Sequence, residues 1–167
     1  MMNNKIAING FFGRMGQAIY ELSLKQNFDV TVGVDLKEKL SSNLDLKFSD
    51  NLSEHSGSFD VVIDFSLPEP CVKAVKECQK LNKPITIGTT GFSAEQKKIL
   101  TDAGKEIPLL LAPNMSIGVN ASLRSISELS KVLSGYDVSI EETHHKNKLD
   151  SPSGTALKIA EVIAEAR

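Results

Sequence analysis

Residues 142–156 read Glu142 Thr143 His144 His145 Lys146 Asn147 Lys148 Leu149 Asp150 Ser151 Pro152 Ser153 Gly154 Thr155 Ala156. Two imidazoles and two ammonium groups therefore stand beside a Ser/Gly/Thr turn that opens a helix. A helix start exposes unpaired backbone N–H groups at the positive end of the macrodipole. Ser153, Gly154 and Thr155 can thus hold a carboxylate, while His144, His145 and Lys148 supply charge and an acid. This is the chemistry of a small anionic substrate that needs a proton. The same residues also read as a solvated polar loop capped by Ser151 or Ser153 with Pro152 in the first turn, and the rest of the chain must decide between the two.

A second candidate lies near the start, where an apolar strand at 5–9 runs into Gly10 Phe11 Phe12 Gly13 Arg14 Met15 Gly16. Glycines let the chain turn sharply and let backbone N–H groups approach a pyrophosphate, which then sits on the following helix N-terminus. The spacing is GxxGxxG. Its context is a strand before, a helix after, and Asp35 at the end of the next strand, where a carboxylate accepts hydrogen bonds from the adenine ribose hydroxyls. Asp35 suits a free 2′-hydroxyl and repels a 2′-phosphate, and Leu36 follows it instead of an arginine, so NADH is favoured over NADPH. Lys37 and Lys39 soften that preference and leave both cofactors open. Two further turns, Gly88 Thr89 Thr90 Gly91 Phe92 and Ala112 Pro113 Asn114 Met115 Ser116, leave the carboxyl ends of strands. With Phe65 and Ser66 they would form the wall of a nicotinamide pocket.

The elements that must position these groups alternate between short β-branched runs and helical patterns, which implies βαβ units and a parallel sheet. Strands are predicted at 5–9, 29–34, 60–65, 84–88, 107–112 and 137–142. Helices are predicted at 16–25, 70–81, 93–103, 119–133 and 155–167, from apolar residues three and four apart. Ser93 with Gln96 makes a capping box. The stretch 37–58 reads as loops with a short strand near 46–48. The fold class is α/β: a Rossmann-like, doubly wound parallel sheet over residues 1–116 binds the dinucleotide, and residues 117–167 begin a smaller α+β substrate domain.

The chain has 167 residues, with 19 Lys plus Arg against 21 Asp plus Glu, so it lacks the basic excess that non-specific nucleic-acid binding requires. No signal peptide and no apolar stretch of about 20 residues is seen, so a cytoplasmic protein without a membrane partner is expected. Cys71 and Cys78, seven apart on a helix, read as buried thiols, and no metal site is expected.

These four blocks, above all Glu142 His144 His145 Lys148 Asp150 Pro152 Ser153 Gly154 Thr155, resemble the 4-hydroxy-tetrahydrodipicolinate reductase family, formerly dihydrodipicolinate reductase, of the diaminopimelate route to lysine. The resemblance runs from Lys5 to about Ala164. It implies an NAD(P)H-dependent oxidoreductase in which residues Gly10, Phe11, Phe12, Gly13, Arg14, Met15 and Asp35 bind the dinucleotide. Gly88, Thr89, Thr90, Ala112, Pro113, Asn114 and Met115 complete that site. It further implies His144 as proton donor, Lys148 as catalytic lysine, and His145, Gly154 and Thr155 as contacts to a small dicarboxylate, with Ser153 beside them. Phe11 and Phe12 stand where the family has smaller residues. Family members continue past Arg167, so the second domain is expected to be incomplete, and the homotetramer the family implies is expected to depend on the remainder. Two other classes fit the residues: a catalytically silent NAD-binding module, and a dehydrogenase of another imine or oxo acid.

Overall fold

In the computed structural model, residues 4–36, 44–144, 146 and 151–167 are described. Six strands form: β1 (Lys5–Asn9), β2 (Asp29–Val34), β3 (Lys47–Ser49), β4 (Val61–Asp64), β5 (Ile85–Ile87) and β6 (Leu109–Leu111). All pairings are parallel and the order is β3-β2-β1-β4-β5-β6. The first three strands extend the sheet one way from β1 and the next three the other way. This opens a crevice between β1 and β4 at the carboxyl ends of the strands, the place where such sheets take ligands.

The five helices are α1 (Arg14–Gln26), α2 (Pro68–Leu81), α3 (Ala94–Ala103), α4 (Ile117–Val132) and α5 (Gly154–Ala166). Successive residues of β1 face opposite sides of the sheet, so Ala7 and Ile8 enter two different cores. Ala7 joins Val32, Val62, Ile85, Ile87 and the buried stripe of α2, which includes Cys71, Val75 and Cys78. Ile8 packs with Phe11, Val30, Ile19, Tyr20 and Phe48. Both α1 and α2 stop at an asparagine in the left-handed region, Asn27 at φ 56° and Asn82 at φ 50°, a conformation this side chain tolerates better than most. Ser93 and Gln96 form the reciprocal cap of α3, as the sequence predicts.

Two units divide the chain, Met1–Pro113 and Asn114–Arg167. In the second, α4 and α5 pack together. Arg167 Nη2 donates to the carbonyls of Leu133 (3.1 Å) and Tyr136 (2.7 Å), which ties the end of α5 to the end of α4.

The short strand expected near 46–48 forms at Lys47–Ser49, paired with β2. The structure corrects the sequence reading at two places. Residues 137–142 do not form a strand: no strand among the described residues runs beside them, and a lone strand has no ladder to join. Pro152 precedes the cap of α5 instead of entering its first turn, because Ser153 is the N-cap.

Phe11 is completely buried, with ring centroids 5.1 Å from Phe12, 5.4 Å from Tyr20 and 5.2 Å from Phe48. This aromatic cluster anchors the turn to the sheet. Phe11→Ala is expected to lower the unfolding free energy of the first unit by about 3–5 kcal/mol, read from the midpoint of urea unfolding. A loss below 1 kcal/mol would show that the turn is held by other contacts.

Candidate active site

The turn after β1 is built on close backbone approaches. Gly10 sits at φ +80°, and a Cβ on Gly16 would lie 2.3 Å from the Gly10 carbonyl oxygen and 2.5 Å from that of Phe11. Only glycine lets α1 begin directly beneath the turn. Gly13 is its N-cap, with no side-chain capping bond and no acidic residue in the first turn. The first-turn N–H groups therefore lack an acceptor from the helix itself, and the positive end of the dipole is uncompensated there. A phosphate oxygen fits this cradle.

The cradle is tied to the end of β2 by three donors. Gly10 and Phe11 N–H donate to the Val34 carbonyl (2.9 and 3.1 Å), and the Asp35 carboxylate accepts from Phe12 N–H (2.8 Å) while also accepting from its neighbour Leu36 N–H (2.8 Å). Asp35 thus both shapes the turn and lines the cleft beside it. That cleft, about 1080 Å³, is also lined by Gly10, Gly13, Arg14, Met15, Ser66, Gly88, Thr89 and Thr90. Phe11 and Phe12 are not among its lining residues: Phe11 is buried and Phe12 stacks on Phe48 at 5.4 Å. The two bulky residues thus leave the cradle open and contribute backbone donors to its shape.

Several cleft residues had no separate signal in the sequence. On one wall, α2 clamps the segment after β3, with Glu77 accepting from Leu52 N–H (2.6 Å) and Ser53 N–H (3.2 Å) and Lys73 Nζ donating to the Asp50 carbonyl (2.8 Å). On the floor, Asp64 at the end of β4 accepts from the Asn9 amide, the Ser66 hydroxyl (2.9 Å), the Ser66 N–H (3.4 Å) and the Thr89 hydroxyl. An acidic residue closing the run Val61 Val62 Ile63 was the available clue. Behind it, burial first and then Asp64 push the Cys71 thiol up, and burial first, then Glu77 and Asp64, push Cys78 up to about 12. Both are buried, free thiols, as their spacing implies.

The segment 112–115 spans the division between the units. Ala112 N–H donates to the Ile87 carbonyl (3.0 Å), while Asn114 Oδ1 accepts from Ser116 N–H (2.9 Å) and Met115 is exposed. Within the first unit, Ala112 and Pro113 are not among the residues that line its cleft.

In the second unit, Ser153 Oγ accepts from Ala156 N–H (3.1 Å) and Ser153 N–H donates to Glu142 Oε1 (2.8 Å). The other oxygen of Glu142 meets His144 Nε2 at 2.8 Å. Glu142 therefore joins His144 to the start of α5. Ser153 is buried as a cap, while Gly154 and Thr155 are exposed in the first turn. His145, Lys148, Lys37 and Lys39 lie outside the described residues. Among the described residues no group of three His, Cys, Asp or Glu is placed to hold a metal, and no helix is long and apolar enough to cross a membrane.

Residues 4–115 match the family described as dihydrodipicolinate reductase, N-terminus, and residues 118–167 match dihydrodipicolinate reductase, C-terminus. The chain belongs to the dihydrodipicolinate reductase family. It is 41% identical to the 4-hydroxy-tetrahydrodipicolinate reductase of Pseudomonas fluorescens (strain Pf0-1), over 97% of this chain and 66% of that protein. It is also 41% identical to the enzyme of the same name from Ralstonia nicotianae (strain ATCC BAA-1114 / GMI1000), over 98% and 66%. A solved dihydrodipicolinate reductase from Paenisporosarcina sp. TG-14, with dipicolinate bound, is 29% identical and superposes with a TM-score of 0.75, covering 99% of this chain and 67% of that one. The chain thus spans about two thirds of the length of these reductases.

In this reductase-family chain the Glu142 carboxyl is held well below the usual carboxylate range. Hydrogen bonds from Ser153, then His144, hold it down from 4.5 to about 2. A carboxyl lowered in the folded state stabilises above its unfolded value and loses that contribution as pH falls. Acidification from pH 4.5 towards 2 is therefore expected to release the Ser153 amide, seen as loss of its hydrogen-exchange protection. Glu142→Gln should remove that pH dependence. A Ser153 amide whose protection does not change across this window would contradict the pairing.

Proposed function

We propose that the chain serves the NAD(P)H-dependent reduction of 4-hydroxy-tetrahydrodipicolinate to tetrahydrodipicolinate with loss of water, in lysine biosynthesis by the diaminopimelate route. One observation carries the reading: the same family chain combines an uncapped, glycine-cradled helix start with a carboxylate-bound histidine beside a second helix start. A reduced nicotinamide, when bound, supplies the hydride. The first-turn N–H groups of α1 hold the pyrophosphate, and Asp35 takes the ribose hydroxyls.

Asp35 also argues for NADH as the preferred form, since its carboxylate repels a 2′-phosphate. The substrate is a dianion. In this reading the exposed N–H groups of Gly154 and Thr155 receive one carboxylate, with His145 and Lys148 adding positive charge. Loss of water leaves a C=C conjugated with the ring imine; hydride adds to the far carbon of that C=C, and the resulting electron-rich enamine takes a proton on carbon from the His144 imidazolium. Glu142, held by Ser153, fixes the ring through Nε2 and leaves Nδ1 for the transfer. Ser153 acts through the helix cap and Glu142 more than through direct contact. The enzyme so described works in the cytoplasm, and the whole protein assembles as a homotetramer.

With substrate generated in situ, the chain is expected to consume reduced nicotinamide in a substrate-dependent way, followed by its absorbance. His144→Ala should lower turnover by roughly 10²- to 10⁴-fold with little change in NADH affinity. Unchanged turnover in that variant would remove the acid role. Absence of substrate-dependent oxidation, both in this chain and in a version extended to the relatives' length, would overturn the activity. Asp35→Ser is expected to narrow the gap between NADH and NADPH affinities, and an unaltered ratio would take the preference away from Asp35.

A further inference from the structure

Asp64 is fully buried, yet the structure surrounds it with neutral groups: the Asn9 amide, the Ser66 hydroxyl and N–H, the Thr89 hydroxyl and the Cys71 thiol. Among the described residues no Lys, Arg or His pairs with it. A buried carboxylate without a counter-ion is costly, and an uncharged side chain would fill the same place at less expense. Its polar partners Asn9, Ser66 and Thr89 all line the cleft, although Asp64 itself does not. Thr89 Oγ1 donates to Asp64 and accepts from Ser66 N–H (2.9 Å), so its orientation is set from both sides. Asn9 Nδ2 reaches both Asp64 and Ser66 Oγ (3.3 Å).

The position in the sheet gives this cluster a direction. Asp35, at the end of β2, marks the ribose of the adenosine half. Asp64 and Thr89 follow β4 and β5, across the switch point on the other side of β1. The group that reaches that side is the nicotinamide, which is neutral when reduced and positively charged when oxidised. We propose that Asp64 is a positioning residue for the nicotinamide half: it orients the Asn9, Ser66 and Thr89 floor, and its charge favours the oxidised ring over the reduced one. The proposal rests on the dinucleotide reading of the same cleft.

The test measures dissociation constants of NADH, NAD⁺ and ADP-ribose by titration calorimetry on the chain and on two variants. Asp64→Asn keeps the shape and removes the charge, and it should raise the ratio of the NAD⁺ to the NADH constant by roughly 3- to 30-fold. An unchanged ratio in a folded Asp64→Asn variant would overturn the charge role. Thr89→Val leaves the charge in place and removes one support. It should weaken NADH by roughly 3- to 10-fold while ADP-ribose, which lacks the nicotinamide, binds as before. If Asp64→Asn does not fold, this second comparison decides, and equal weakening of NADH and ADP-ribose overturns the proposal. Binding of NADH and ADP-ribose by the wild-type chain, with neither folded variant changing the relative affinities of NADH, NAD⁺ and ADP-ribose, would refute the proposal alone. One that binds none of the three would refute the dinucleotide reading with it.

Discussion

The close approach of α1 to the turn that feeds it is the constraint on which the first unit depends. Gly16 lies so near the carbonyls of Gly10 and Phe11 that any side chain there would collide with backbone. This contact sets where the helix begins, and so where its unpaired N–H groups sit. Asp35 completes the arrangement by drawing Phe12 N–H towards β2. The strand, the turn, the helix and the next strand are thereby joined at one point, the start of α1. The aromatic cluster of Phe11, Phe12, Tyr20 and Phe48 supports it from below.

The second unit solves a similar problem with the opposite sign. At α5 the helix start is partly compensated, because Ser153 caps one N–H and Glu142 accepts another. The same carboxylate then holds His144. One acidic side chain links a helix terminus to an imidazole, so the two are positioned together. The two sites also differ in what fixes them: backbone packing in the first unit, hydrogen bonds between exposed side chains and backbone in the second.

Much of this was legible in the residues. The alternation of β-branched runs with three-and-four apolar spacing carried the parallel sheet, because strands buried on both faces need helices over them. The Gly10, Gly13, Gly16 spacing and Asp35 located the cradle, and the capping box of α3 appeared where Ser93 and Gln96 required it. What was missed depends on partners distant in sequence. Asp64 meets Asn9 and Thr89, 55 and 25 residues away, so its role is invisible in the run that contains it. Phe11 stood out only as bulkier than the family's residue, and only the fold shows that it is buried in the core. The segment 137–142 has the composition of a strand, but composition supplies no neighbour for its edges. Ser153 was legible both as a contact and as a cap, but its bond to Glu142, 11 residues earlier, had no local signal.

The central claim is that the first-turn amides of α1 receive a dinucleotide pyrophosphate. Titrating NADH into the isotope-labelled chain and following backbone amide resonances tests it directly. The account predicts that the amides of Arg14 and Met15 shift most and saturate together. Saturable NADH binding that leaves these two amides unmoved, with the changes centred elsewhere, would contradict it.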